Sequence, residues 1–154
     1  MPASGSLVGM GLLIDYFVAA SDDDARTVLD HGLGGRFAST DGSGVEPTAA
    51  LGQFEELLTG RTFDEQLGDP ASYEVIASSE DNEVAVIRLE PGFVQVLADA
   101  DPPTLDRLAL PWSKIEEFGG MADAADAADF LHRLRGLAQT AVPGNAGMYC
   151  RISL

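Results

Sequence analysis

The sequence predicts an α+β fold, a single domain in which a mostly antiparallel sheet of about four strands packs with helices. Three observations carry this. Runs of β-forming residues stand at both ends of the chain and as a close pair in its middle, at 11–20, 73–79, 83–90 and 147–154. Segments of helical periodicity fill the intervals. The length of 154 residues suits one domain, and no internal repeat or domain-sized linker interrupts it. The domain is expected to span 10–154. The small, polar residues 1–9, "MPASGSLVG", read as a flexible leader, with Met10 an alternative natural start.

The elements follow in order β-α-α-β-β-α-α-α-β. "GLLIDYFVAA" (11–20) is the first strand. In "SDDDARTVLDHGLGG", Ser21 is a good N-cap, Asp24 sits three residues on, and the acids suit the positive end of a helix. Ala25, Val28 and Leu29 supply its apolar stripe and Gly32 stops it. "FASTDGSG" (37–44) reads as a loop. A second helix follows over 46–60, with Leu51, Phe54, Leu57 and Leu58 at helical spacing and Gly60 at its end. "RTFDEQLGDP" reads as a turn of helix and a loop. "YEVIASS" and "EVAVIRLE" form a hairpin across "EDN". Pro91 opens a helix that turns Phe93, Val94 and Leu97 to one side. "PPTLDRLALPWSKIEEFGG" is expected to break before Pro111, because the residue ahead of a proline is pushed out of the helical region. A long helix from 124 to about 142 and the strand "GMYCRISL" end the chain.

The long helix holds Asp123, Asp126, Asp129 and His132, the most site-like stretch of the chain. At about 100° per residue, Ala124, Ala127, Leu131, Leu134, Ala138, Ala141 and Val142 share one face, and Asp126, Asp129 and Arg133 lie opposite. The three aspartates fan over about 120° of surface and do not converge on an ion. They read as an acidic cap and a solvated face, with Asp123 the N-cap and Asp129–Arg133 an exposed pair. "SDDDA" lacks the spacing of a calcium loop. Cys150 shares its strand face with Met148, Ile152 and Leu154, the setting of a buried, inert thiol. His31 suits a helix C-terminus. No serine lies in a nucleophile-elbow context, and the glycines of "HGLGGRF" match neither a P-loop nor a dinucleotide fingerprint. The residues imply no cofactor, metal or catalytic group.

The end strands offer the more informative pattern. Alternation puts Leu13, Asp15 and Phe17 on one face of the first strand, and Tyr149 and Arg151 opposite the Cys150 face of the last. If these strands are neighbours, Asp15 and Arg151 pair, Arg88 and Glu74 join from the hairpin, and Phe17 and Tyr149 supply aromatic walls. Such a face lines a small polar cleft, or holds a structural ion pair under a helix, the more economical reading. Trp112 is either a core plug or a surface anchor; tryptophan is enriched at interfaces. The binding candidates are therefore Asp15, Phe17, Tyr149, Arg151 and Trp112.

The net charge of −16, with Lys114 the one lysine beside eight arginines, argues against nucleic acid and anionic membranes. It permits a basic protein partner, as well as a cationic ligand or simple solubility. A single cysteine, no signal-peptide pattern and no long apolar span lead to the expectation of a cytoplasmic protein.

"MGLLIDYFVAASDDDARTVLD", "LGQFEELLTGRTF" and "GLAQTAVPGNAGMYCRISL" together resemble the YfbM-like family of small bacterial domains of unknown function. That family similarly opens with Met-Gly and an apolar strand ending in Tyr-Phe, has a helix ending in Leu-Thr-Gly, and closes with a long helix, a Gly-Asn turn and a strand. The likeness is divergent. The family's helix before Leu-Thr-Gly commonly carries Trp and His, and "AALGQFEELLTG" has neither. The resemblance implies an intracellular bacterial α+β domain and no chemistry. The functional expectation is a non-enzymatic binding or protein-interaction module. The alternative is a small enzyme of unidentified class with a polar cleft near Asp15, Tyr149 and Arg151; its state of assembly is open.

Overall fold

A computed structural model describes residues 13–42, 44–119 and 122–153. The expected leader, Met10 and the position of Leu154 lie outside the described residues. The elements are β1 (Leu13–Ala19), α1 (Asp22–Arg26), α2 (Val28–His31), β2 (Ser39–Asp41), α3 (Ala49–Thr59), α4 (Phe63–Leu67), β3 (Tyr73–Ser78), β4 (Val84–Leu89), α5 (Pro91–Asp99), α6 (Pro102–Ser113), α7 (Ala124–Ala141) and β5 (Gly147–Ser153). The strands form one five-stranded sheet, β2-β1-β5-β4-β3, antiparallel at every pairing. The α+β class holds, with one strand more than expected. The first and last strands are neighbours along their whole length, from Leu13 opposite Ser153 to Ala19 opposite Gly147.

One sheet face carries the main core. Ile14 and Tyr16 of β1, Met148 and Cys150 of β5 and Ile87 and Leu89 of β4 pack under α3, α5, α6 and α7. Each helix turns its apolar stripe inward: Leu51 and Phe54 from α3, Phe93, Val94 and Leu97 from α5, Leu131, Leu134 and Ala138 from α7. Trp112 sits at the centre, stacked on Phe130 with centroids 6.0 Å apart and edge-on to Phe118 at 5.1 Å. Its indole N–H donates to the Ala50 carbonyl at 2.8 Å, so the polar end of the ring is satisfied inside the core. Trp112 is thus the core plug of the two options and not a surface anchor; it is 0% exposed.

Three local expectations change. The segment 37–44 contains β2, which escapes the apolar-alternation signal because Ser39, Thr40 and Asp41 have no apolar side chain. Its pairing comes from the edge of β1, and Arg133 of α7 holds it by donating to Thr40 Oγ1 at 2.6 Å and the Asp41 carbonyl at 3.0 Å. The helix expected over 21–32 divides at Thr27, whose hydroxyl donates to the Asp24 carbonyl at 2.6 Å and competes with the helical ladder. The break expected before Pro111 does not occur. Pro111 lies within the last turn of α6, where its missing N–H removes a single helical bond, and the next residue is the Trp112 plug.

The long helix follows its pattern. Asp123 caps it, accepting from the Ala125 N–H at 2.7 Å, and Asp129 pairs with Arg133 at 3.0 Å on the exposed side. Asp126 and Asp129 are exposed while Ala127, Leu131, Leu134 and Ala138 are buried. Among the described residues no helix is long and apolar enough to cross a membrane.

Candidate functional site

The second sheet face gathers the residues that strand alternation places together. Asp15 lies opposite Arg151 on one side and Asp41 on the other, and Phe17 lies opposite Tyr149 and Ser39. Tyr149 is next to Arg88, and Arg88 next to Glu74. Because side chains alternate with a period of two, all of these point to the same side of the sheet. Four of the five candidates share this face. Trp112 belongs to the opposite one.

The two ends of the face differ. At the first, α1 and α2 fold back over the strands and form a small second core of Phe17, Ala19, Ala25, Val28, Val86 and Tyr149. The Phe17 and Tyr149 rings stack with centroids 5.6 Å apart, and Phe37 lies 5.3 Å from Phe17. Asp22, the first residue of α1, ties the lid down. Its Oδ1 accepts from the Tyr149 hydroxyl at 2.6 Å and its Oδ2 from Arg88 Nη1 at 2.8 Å, while Arg88 also pairs with Glu74. Burial and the neighbouring Asp22 carboxylate push the Tyr149 phenol far above its usual range, so it stays a hydrogen-bond donor. Phe17 and Tyr149 are therefore packed inside a core and do not wall a cleft. The reason is physical: two large rings expose too much apolar surface to stay open beside a helix able to cover them.

At the second end, Asp15, Arg151 and Asp41 lie beyond the second core, and Arg151 Nη1 reaches the C-cap of α2, 3.9 Å from where a Cβ on Gly32 would sit. Asp15 and Arg151 are half-buried and Asp41 is exposed. Partial burial pushes the Asp15 carboxyl above its usual range; Arg151 opposes this and Asp41 adds to it. A row of carboxylate, carboxylate and guanidinium across three strands is a polar strip with one positive charge for two negative ones. It can hold a cationic or hydrogen-bonding group, and the Cys150 thiol is not part of it: the thiol lies in the main core, where burial pushes its pKa up.

Other reactive side chains are engaged elsewhere. His132 Nε2 is 2.7 Å from Asp106 Oδ1, linking α7 to α6. Glu55 of α3 is buried and pairs with Arg61 at 3.2 Å, and Arg61 also holds Asp69 at 2.6 Å. Burial raises the Glu55 pKa more than Arg61 lowers it. Among the described residues no group of three or more His, Cys, Asp or Glu side chains is placed to hold a metal ion.

No protein-family model, curated protein or solved structure matches the chain.

Sequence reasoning missed Asp22 and Glu55. An acid at the first position of a helix looks the same whether it complements the macrodipole or ties a tyrosine 127 residues away. Glu55 had a signal: it stands four residues after Leu51, on the buried side of α3, where an acid requires a partner.

Proposed function

We propose that this chain is a non-enzymatic protein-interaction module whose partner is basic. The observation that supports this most is how charge is distributed. The chain carries a formal net charge of −16, and four of its nine cationic side chains are held by its own acids. Arg26 pairs with Asp23, Arg61 with Glu55 and Asp69, Arg88 with Asp22 and Glu74, and Arg133 with Asp129. Exposed carboxylates at Glu80, Asp81, Glu83, Glu116, Glu117 and Asp126 add to a negative surface. Such a field reaches about 8 Å at physiological ionic strength, steers a basic protein toward the surface and repels nucleic acid. The resemblance to the YfbM-like family is compatible with this reading and adds no chemistry to it.

The test is retention. With the purified chain as bait in native lysate, a basic protein is held at about 0.05 M salt and released by about 0.5 M. Retention of nothing at the lower salt, or retention indifferent to salt, contradicts the reading. A small enzyme built on Asp15, Tyr149 and Arg151 would instead require the Tyr149 hydroxyl to leave Asp22.

A further inference from the structure

A net charge of −16 selects the sign of a partner and not the place where it docks. One surface cavity, of about 150 Å³, is lined by Arg88, Val94, Gln95, Asn145 and Met148. Its guanidinium gives Nη1 to Asp22 and Nη2 to Glu74, leaving the buried Nε without a partner, and two acids already counter its single charge. A second, of about 140 Å³, lies between α3 and the end of α6 and is lined by Gln53, Glu56, Leu57, Pro111 and Ile115. Both are well below the roughly 300–1,000 Å³ of small-molecule pockets. The second has the chemistry of an anchor pocket: an aliphatic floor inside an acidic rim.

Leu57 follows Phe54 by three residues on α3, yet it is 41% exposed where Phe54 is 0% exposed. It rolls out of the core toward Pro111 and Ile115. Glu56 lines the cavity, and Glu117, which accepts from the Gln53 amide, stands beside it with Glu116. Lys114 is exposed nearby and is outnumbered by these three glutamates.

We propose that the groove between α3 and α6 takes an aliphatic side chain from a basic, amphipathic segment of a partner protein. This rests on the interaction reading above and names the surface that serves it. Charge selects the occupant. The exposed Leu57, with Pro111 and Ile115, favours an apolar anchor, and the glutamate rim favours lysine or arginine on either side of it. A second copy of this chain would bring another net charge of −16 against the rim and is disfavoured.

The experiment is a titration of the isotopically labelled chain with a synthetic amphipathic helix, leucine on one face and lysine on the other, followed by backbone amide NMR shifts. The shifts are expected to concentrate at residues 53–57 and 112–117 and to shrink at high salt. Leu57→Ser, which leaves the charge unchanged, is expected to weaken binding by about tenfold, and Glu116→Gln by roughly two- to threefold at low salt only. Shifts scattered over the acidic surface, with Leu57→Ser binding as the parent does, overturn the groove and leave the basic-partner reading standing. Shifts at 53–57 and 112–117 that grow with protein concentration, before peptide is added, overturn it in favour of a second copy. No shift with the peptide also overturns it, and the lysate retention then decides the broader reading separately. The map for the unaltered chain is sufficient should Leu57→Ser fail to fold.

Discussion

The two ends of the second sheet face are built from the same strands by the same alternation, yet one is closed and the other open. At the closed end the polar groups of Tyr149 and Arg88 meet a carboxylate, Asp22, delivered by the first turn of α1. At the open end Asp15 and Arg151 are register partners across the β1–β5 pair with Asp41 beside them, and Arg151 reaches the C-cap of α2 rather than a carboxylate of its first turn. The difference shows that a sheet fixes which side chains share a face, while the connection that follows a strand decides whether that face is core or surface. Here the reversal at Ala20–Ser21 carries α1 over Phe17 and Tyr149 and leaves Asp15 behind.

Substitutions sharpen this contrast. Phe17→Ala is expected to have the largest effect, about 3–5 kcal/mol of stability, because it empties the centre of the second core; chemical denaturation measures it. Asp22→Ala is expected to cost about 1–3 kcal/mol, since the Tyr149 hydroxyl loses its acceptor and Arg88 loses one of its two acids. Amide exchange should also show α1 opening earlier in this variant than any element of the main core. At the open end the response is one of pH. The Asp15 carboxyl titrates above its unfolded value of 3.8, chiefly through burial. Protonation therefore favours the folded state. The stability from this group is fully present below 3.8 and is lost as pH rises through the higher folded value. Asp15→Asn should accordingly gain on the parent between about pH 3 and about pH 7, read as the difference in urea midpoint. A constant difference across that range would show that burial does not raise the Asp15 pKa in the folded state. The smallest effect belongs to Asp129→Ala, a few tenths of a kcal/mol at about 0.3–0.5, because its pairing with Arg133 is solvated.

Much of this contrast was legible in the residues. The alternation of β1 and β5 assigned Asp15, Phe17, Tyr149 and Arg151 to one face, and the helical repeat turned Leu131 and Leu134 inward and Asp126 and Asp129 outward. What escaped depends on distant partners. Ser39–Asp41 becomes a strand because β1 has an unpaired edge and Arg133 reaches over from α7. Pro111 fails to break α6 because its position near the end removes one bond and the Trp112 ring is locked in place by the Ala50 carbonyl, 62 residues away. Whether Trp112 or Tyr149 is core or contact surface is a question about neighbours, and neighbours are what a local pattern omits.

The polar groups at the closed end of this face are structural ties, and the proposed binding belongs to the outer acidic surface. A double-mutant cycle of Asp22→Ala and Tyr149→Phe, measured by urea denaturation, tests these ties most directly. The 2.6 Å bond between a carboxylate and a buried hydroxyl should appear as a coupling of about 1 kcal/mol or more. Additive effects of the two substitutions, with no coupling, would mean that Asp22 does not hold Tyr149 and that the face is free to serve as a site.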